Sequence, residues 1–305
     1  MPVAVVFPGQ GTQAAGMGAP WIAHRAWSVV ERAEAALGEP LGHLITSAAS
    51  EQLARTREAQ LAVLLTSLIV WEAAREHCTA PVAFAGHSLG QVTALIAAGV
   101  CSLEDGVRFA ALRAEATQAA ADAKPGKMAA LLGATDDVAL EACAAAPDAC
   151  WPANDNAPGQ IVIAGTPSGV DTALARAKEL GVRRAMPLNV GGAFHTPLMA
   201  PARPALEAAL AGVALHDPAS PVVSNADGAA HPDGDGWRAR LVEHITVPVC
   251  WRASMETLAQ LGATTFAELG HGSMIAGVAK RTVPDVTVVG CSTPAELETL
   301  TEVAT

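Results

Sequence analysis

Two kinds of apolar segment alternate along the chain. Short, mostly apolar runs fall at residues 3–7, 82–85, 221–224, 264–269 and 286–290. Such runs suit strands buried on both faces. Between them lie longer stretches with apolar residues at helical spacing. Residues 21–37 are amphipathic, 57–76 read as a long, mostly buried helix, and 91–98, 104–122 and 294–303 complete the set. Strands alternating with helices predict an α/β fold with a mainly parallel sheet.

The middle of the chain breaks this rhythm. Lys124-Pro125-Gly126-Lys127 interrupts the helix before it. Strand-like segments then fall at 128–132, 150–154, 160–164 and 183–189, with helices at 137–146 and 167–180. The second and third strands join across Asn156-Ala157-Pro158-Gly159. This βαββαβ order is the ferredoxin-like arrangement. The pattern predicts a small domain at 125–189 inserted into an α/β-hydrolase-like catalytic domain made of 1–124 and 190–305. The Gly-, Asp- and Pro-rich stretch 227–235 reads as a surface loop.

Composition narrows the function. A chain of 305 residues can bury a sizeable core. Hydrophobic residues reach 51%, many of them alanine, while aromatics are only 4%, so the interior is expected to be built from small side chains. The net charge of −11, with no long basic run, argues against nucleic-acid binding. Arg183-Arg184 and Lys280-Arg281 could still meet an acidic partner locally. The six cysteines are scattered without C-x-x-C or metal spacing, and the nine histidines form no ligand pairs, so neither disulfides nor a metal is expected. The start of the chain has no basic region and is soon broken by Pro8-Gly9, unlike a signal peptide. No apolar stretch is long enough to span a membrane. The expectation is a cytoplasmic protein.

The densest chemistry lies at Gly86-His87-Ser88-Leu89-Gly90, between the strand at 82–85 and the helix at 91–98. A serine on a strand–turn–helix corner projects its hydroxyl from the sheet, and the turn is tight enough to require glycine on either side. The amide after it, that of Leu89, faces the place where a negative oxygen would develop. His195, in Gly191-Gly192-Ala193-Phe194-His195-Thr196-Pro197, is the candidate base, set just before a Thr N-cap and a Pro at the first helical position. His87 competes for that role, but neighbours on a sharp turn point different ways, so it is expected to pack beneath the corner. Phe7-Pro8-Gly9-Gln10-Gly11-Thr12-Gln13 follows the first strand directly, and its glycines allow close approach to a ligand, with Gln10 placed to donate an amide.

These three motifs, in this order, resemble the malonyl-CoA:acyl-carrier-protein transacylases and the related acyltransferase domains of polyketide synthases. The resemblance covers nearly the whole chain. It implies Ser88 as nucleophile, His195 as base, and the amides of Gln10 and Leu89 as oxyanion hole. It implies that Arg113 grips the free carboxylate of the substrate, a task that suits its bidentate fork. Gln60 matches a residue lining the pocket, and Asn154 and Asn156 match polar residues near the mouth for the acyl thioester. The family orients its base with a main-chain carbonyl, which the match within Val247-Pro248-Val249-Cys250-Trp251 assigns to Cys250. Gln91 stands where glutamate is usual, and Gly270-His271-Gly272 where Gly-Pro-Gly is common. Phe194, with Leu89 after the serine, implies preference for malonyl over methylmalonyl. The expected activity is ping-pong transfer of malonyl from malonyl-CoA, through Ser88, to the phosphopantetheine thiol of an acyl carrier protein. A monomer with no cofactor is expected. An acyl-hydrolase on the same scaffold and a catalytically idle carrier-docking module are the rival readings.

Overall fold

The computed structural model describes residues 1–304. Strands β1 (Val3–Phe7) and β2 (Ala83–Gly86) come from the first third of the chain. Strands β3 (Lys127–Leu132), β4 (Cys150–Ala157), β5 (Gln160–Gly165) and β6 (Arg184–Pro187) form the middle. Strands β7 (Val222–Val223), β8 (Ala230–His231), β9 (Val249–Cys250), β10 (Thr265–Leu269) and β11 (Thr287–Cys291) follow.

The larger sheet has the order β11-β10-β1-β2-β7-β8. Its pairs are parallel apart from β7 with β8. β1 lies inside and every one of its residues is buried, which explains its unbroken apolar run. The helix Thr56–Ala74 is buried along most of its length, and its Trp71 sets its ring edge-on to Phe7 and Phe84.

The smaller sheet has the order β6-β3-β5-β4-β9. Its first four strands are antiparallel, with helices Asp136–Ala144 and Pro167–Glu179 between them in sequence, as the βαββαβ pattern predicts. The fifth was not foreseen. β9 comes from beyond the middle segment and pairs parallel with β4 at Asn154 and Asp155. A segment from beyond the middle of the chain thereby completes the smaller sheet.

Three local expectations change. Residues 21–37 do not form one helix: two 3₁₀ turns, Ala19–Trp21 and Arg25–Trp27, precede the helix Ser28–Leu37. Pro20 sits at the start of the first turn, and the His24 ring accepts the Ala26 amide at the second, so each turn is closed separately. The strand near 183–189 is shorter and ends at Pro187, which has no amide for the ladder. The loop 227–235 contains β8, which pairs back on β7. No helix among the described residues is long and apolar enough to cross a membrane.

Candidate active site

β1 and β2 run in parallel, so the loop after Phe7 and the corner after Gly86 emerge side by side at the same end of the sheet. Ser88 adopts φ +52°, a left-handed conformation rare for a residue with a side chain. Its two flanking glycines are required by space: a Cβ on Gly86 would strike the carbonyl of Gly90, and one on Gly90 would strike that of Phe7. The corner is therefore strained at the serine and closed on both sides.

His195 also has positive φ, at +60°. Thr196 holds that turn by donating its hydroxyl to the Ala193 carbonyl at 2.6 Å, and its side chain accepts from the Leu198 amide. The result places His195 Nε2 2.8 Å from Ser88 Oγ. On the far side of the ring, Nδ1 donates to the carbonyl of His244 at 3.0 Å. That bond fixes the tautomer: with Nδ1 protonated, Nε2 is left as an acceptor for the serine proton. Burial, and then the nearby Arg113 charge, push the His195 pKa down to about 3, so the ring is neutral at physiological pH.

The carbonyl facing His195 is thus His244's, which corrects the assignment to Cys250. Cys250 ends β9 and caps the helix Trp251–Gln260, so its carbonyl turns into that helix, where it accepts the Ser254 hydroxyl at 2.9 Å. His244 lies at the end of the preceding helix, Trp237–Glu243, where main-chain carbonyls are free to point outward.

Arg113, which the resemblance implies as the grip on the substrate carboxylate, sits in the helix Leu103–Ala123 and is 4% exposed. It donates to Gln60 Oε1 at 2.8 Å and to Ser88 Oγ at 3.2 Å, and Gln60 passes a bond on to Gln10 Oε1. Among the described residues no carboxylate pairs with it, and burial lowers its pKa to about 10. It remains charged, buried and without a counter-ion. The main-chain amides of Gln10 and Leu89 likewise make no hydrogen bond within the described chain.

These groups border a cavity of about 270 Å³. Gln10, Gln60, Ser88, Arg113, Phe194 and His195 line its floor, while Asn154, Asn156, Met128 and Val162 of the smaller sheet form the facing wall. His87 also lines the cavity and does not lie beneath the corner, yet it is not bonded to the serine: its Nε2 meets Asn156 Oδ1 at 2.9 Å, and its ring stands edge-on to Trp251.

Asn225 was missed by sequence reasoning. It is fully buried, accepts the Ser88 amide on Oδ1 at 2.7 Å, and donates Nδ2 to the Gly86 carbonyl at 2.9 Å. The Gln91 departure proves to be part of the same network, since Gln91 Oε1 accepts the Asn225 amide at 3.1 Å. At the other departure, Gly270 and Gly272 carry φ of +143° and +96°, and a Cβ on Gly270 would meet Ser67 and Pro8. The flanking glycines are what that loop needs, and His271 between them is half-buried.

Fold and site together define an α/β enzyme of acyl transfer. The acyl transferase domain family matches residues 4–298, and the chain belongs to that family. It is 37% identical over 306 residues to a malonyl CoA-acyl carrier protein transacylase of Bacillus subtilis, covering 97% of this chain and 95% of that one. Its fold superposes at TM-score 0.93 on the malonyl-CoA:acyl carrier protein transacylase of Xanthomonas oryzae pv. oryzae, with 40% identity over 99% of each chain. A malonyl-transacylase solved in complex with its type II polyketide acyl-carrier protein is similar at TM-score 0.94 and 33% identity, again over 99% of each chain.

Proposed function

We propose that this enzyme moves a malonyl group from malonyl-CoA to the phosphopantetheine thiol of an acyl carrier protein. The observation that carries the reading is Arg113. A buried guanidinium with no carboxylate of its own, 3.2 Å from the serine hydroxyl, suits an acyl group that brings a carboxylate. The relatives' names and the solved carrier-protein complex support the same donor and acceptor.

The geometry supports a two-stage reaction. Neutral His195 takes the proton of Ser88 as its oxygen attacks the thioester carbonyl. The free amides of Gln10 and Leu89 stabilise the oxyanion. The tetrahedral species collapses, CoA leaves with the proton from His195, and malonyl stays on Ser88 with its carboxylate against Arg113. The carrier thiol then gives its proton to His195 and attacks the ester, and Ser88 is regenerated. Base, oxyanion donors and carboxylate clamp all come from the chain, so this chemistry calls for no metal or cofactor. Asn154 and Asn156, on the wall facing the serine, would meet the thioester arm. In this reading the enzyme works in the cytoplasm as a monomer, which sedimentation can test.

Mass spectrometry of the intact protein after mixing with malonyl-CoA tests the reading. One malonyl group on Ser88, discharged on adding holo carrier protein, is the expected outcome. Hydrolysis of the ester as fast with carrier protein as without it would make the enzyme a hydrolase.

A further inference from the structure

We propose that Asn225 is a positioning residue that stands in for a missing β-strand and thereby holds Ser88 in its reactive conformation. The proposal rests on the reading of Ser88 as the acylated residue.

The larger sheet runs out of backbone where the serine begins. β2 is flanked by β1 on one side and β7 on the other. On the β1 side, main-chain pairing continues to the corner, with Phe7 opposite Gly86 and the His87 amide donating to the Phe7 carbonyl at 3.0 Å. On the β7 side, pairing stops at Phe84 opposite Val222, because β7 ends at Val223. The Gly86 carbonyl and the Ser88 amide on that side are buried groups that need partners.

The Asn225 side chain supplies both. In a parallel ladder, one residue accepts from the amide after its partner and donates to the carbonyl before it. Asn225 does this with its carboxamide around His87: Oδ1 accepts from Ser88 N at 2.7 Å, and Nδ2 donates to Gly86 O at 2.9 Å. A side-chain amide can tilt where a continuing strand could not. The ladder is therefore completed while Ser88 turns out of strand geometry to φ +52°. A left-handed residue that is not glycine is strained and persists only where its surroundings enforce it.

The anchor points of Asn225 tie the serine to its base. Its amide donates to Gln91 Oε1 at 3.1 Å, in the first turn of the helix that follows the serine. Its carbonyl accepts the Cys250 amide at 2.7 Å. Cys250 closes the segment that begins at His244, whose carbonyl orients His195. One buried residue thus spans from the serine corner to the strand after the base-orienting loop. The Leu89 amide, next along from the clamped Ser88 amide, is set by the same bond.

The test uses the full chain and two variants, Asn225→Ala and Asn225→Asp. Ser88 acylation is followed by quenched mass spectrometry with malonyl-CoA, and separately by its labelling rate with phenylmethylsulfonyl fluoride, both per folded molecule. Asn225→Ala is expected to slow acylation by about 10²-fold, the scale of a displaced reacting group, with KM for malonyl-CoA unchanged. Asn225→Asp keeps the shape but sets a carboxylate oxygen against the Gly86 carbonyl. It is expected to be slow at neutral pH and to recover towards the wild-type rate as acid protonates it and restores the donor. A residue needed for the fold alone would lower the melting temperature, leave the rate per folded molecule untouched, and give no recovery in acid. That result overturns the proposal, as does an aspartate variant that cannot fold. A wild-type chain that takes neither label on Ser88 sinks the acyl-serine reading itself.

Discussion

Two arginines show how differently one side chain can be used in this molecule. Arg252, at the junction of the two sheets, lies 2.5 Å from Asp136 and 2.7 Å from Asp155. Its partners belong to the first turn of the helix Asp136–Ala144 and to β4, so it ties the smaller sheet to the helix Trp251–Gln260. Arg113, beneath the cavity, is more deeply buried and has only neutral partners. Their pKa values move in opposite directions. The hydrogen bond that Arg252 donates to Asp136 leads in raising its own, whereas burial lowers that of Arg113 to about 10. An arginine whose anion is supplied by the chain is a structural tie. One kept from water without an anion is a site waiting for a ligand, because an uncompensated buried charge is costly to retain for the fold alone.

The comparison is tested hardest at the pocket, where substitutions should remove chemistry and spare the fold. Ser88→Ala removes one hydroxyl from a corner whose backbone contacts remain. Malonyl loading should vanish while the melting temperature stays near wild type; a malonyl group on the alanine variant would place the nucleophile elsewhere.

His195→Ala should slow loading by about 10³-fold or more, the scale of a paired base. Its pH dependence carries a second signature. A histidine depressed to about 3 from 6.5 by burial and the Arg113 charge stays neutral well into acid. The acid limb of kcat/KM should therefore lie far below 6.5. The unfolded chain binds the proton that the folded chain refuses, so this group's contribution to stability is full above 6.5 and is lost as pH falls towards 3. A limb centred near 6.5 would mean that the ring is more solvated than its burial shows.

Arg113→Ala should cost malonyl about 2–5 kcal/mol while acetyl, which has no carboxylate to lose, gains relatively. The melting temperature should hold or rise, since a charge without a partner has been removed. Equal losses for malonyl- and acetyl-CoA would show that the guanidinium does not touch the acyl group. Phe194→Ser bears on a subtler selectivity. With Phe194 lining the cavity beside His195, wild type should favour malonyl over methylmalonyl by roughly 10- to 200-fold, since one methyl group is worth about 1–3 kcal/mol. The serine variant should narrow that ratio in a competition between the two thioesters. A wild type that loads both equally removes Phe194 from the selection.

Much of this site was legible because its signals are local. The glycines around Ser88 report a backbone that cannot carry a Cβ, and Thr196-Pro197 after His195 reports the turn that aims the ring. The alternation of strands and helices likewise foretold both sheets. What escaped depends on distance in sequence. Asn225 reaches Ser88 across 137 residues, and nothing in Ser224-Asn225-Ala226 marks it apart from an ordinary strand end. The Cys250 assignment failed for a related reason: any residue can offer a carbonyl, so only the path of the chain decides which one faces His195. The burial of Arg113 follows from helix packing, and β9 joins the smaller sheet through two residues whose pattern is too short to read.

Arg252→Ala is the complement of the pocket variants and should have the smallest effect. The side chain is 27% exposed and its partners 51% and 27%, so water screens both pairs. Partly exposed pairs of this kind are worth about 0.2–1 kcal/mol each, and the loss should appear in the melting temperature and not in the loading rate. The loss should also depend on pH. Burial is the leading cause that raises the pKa of Asp155, and Arg252 opposes it. Without Arg252 the Asp155 carboxylate is left half-buried beside Asp136, and its pKa climbs further. A carboxyl whose folded pKa lies above its unfolded one binds protons more readily in the folded chain, so the fold gains stability as pH falls through that range. The penalty of Arg252→Ala should therefore be largest at neutral pH and shrink in acid, as thermal melts at both would show. If loading fell instead while the melting temperature held, Arg252 would belong to the site, and the division between the two arginines would fail.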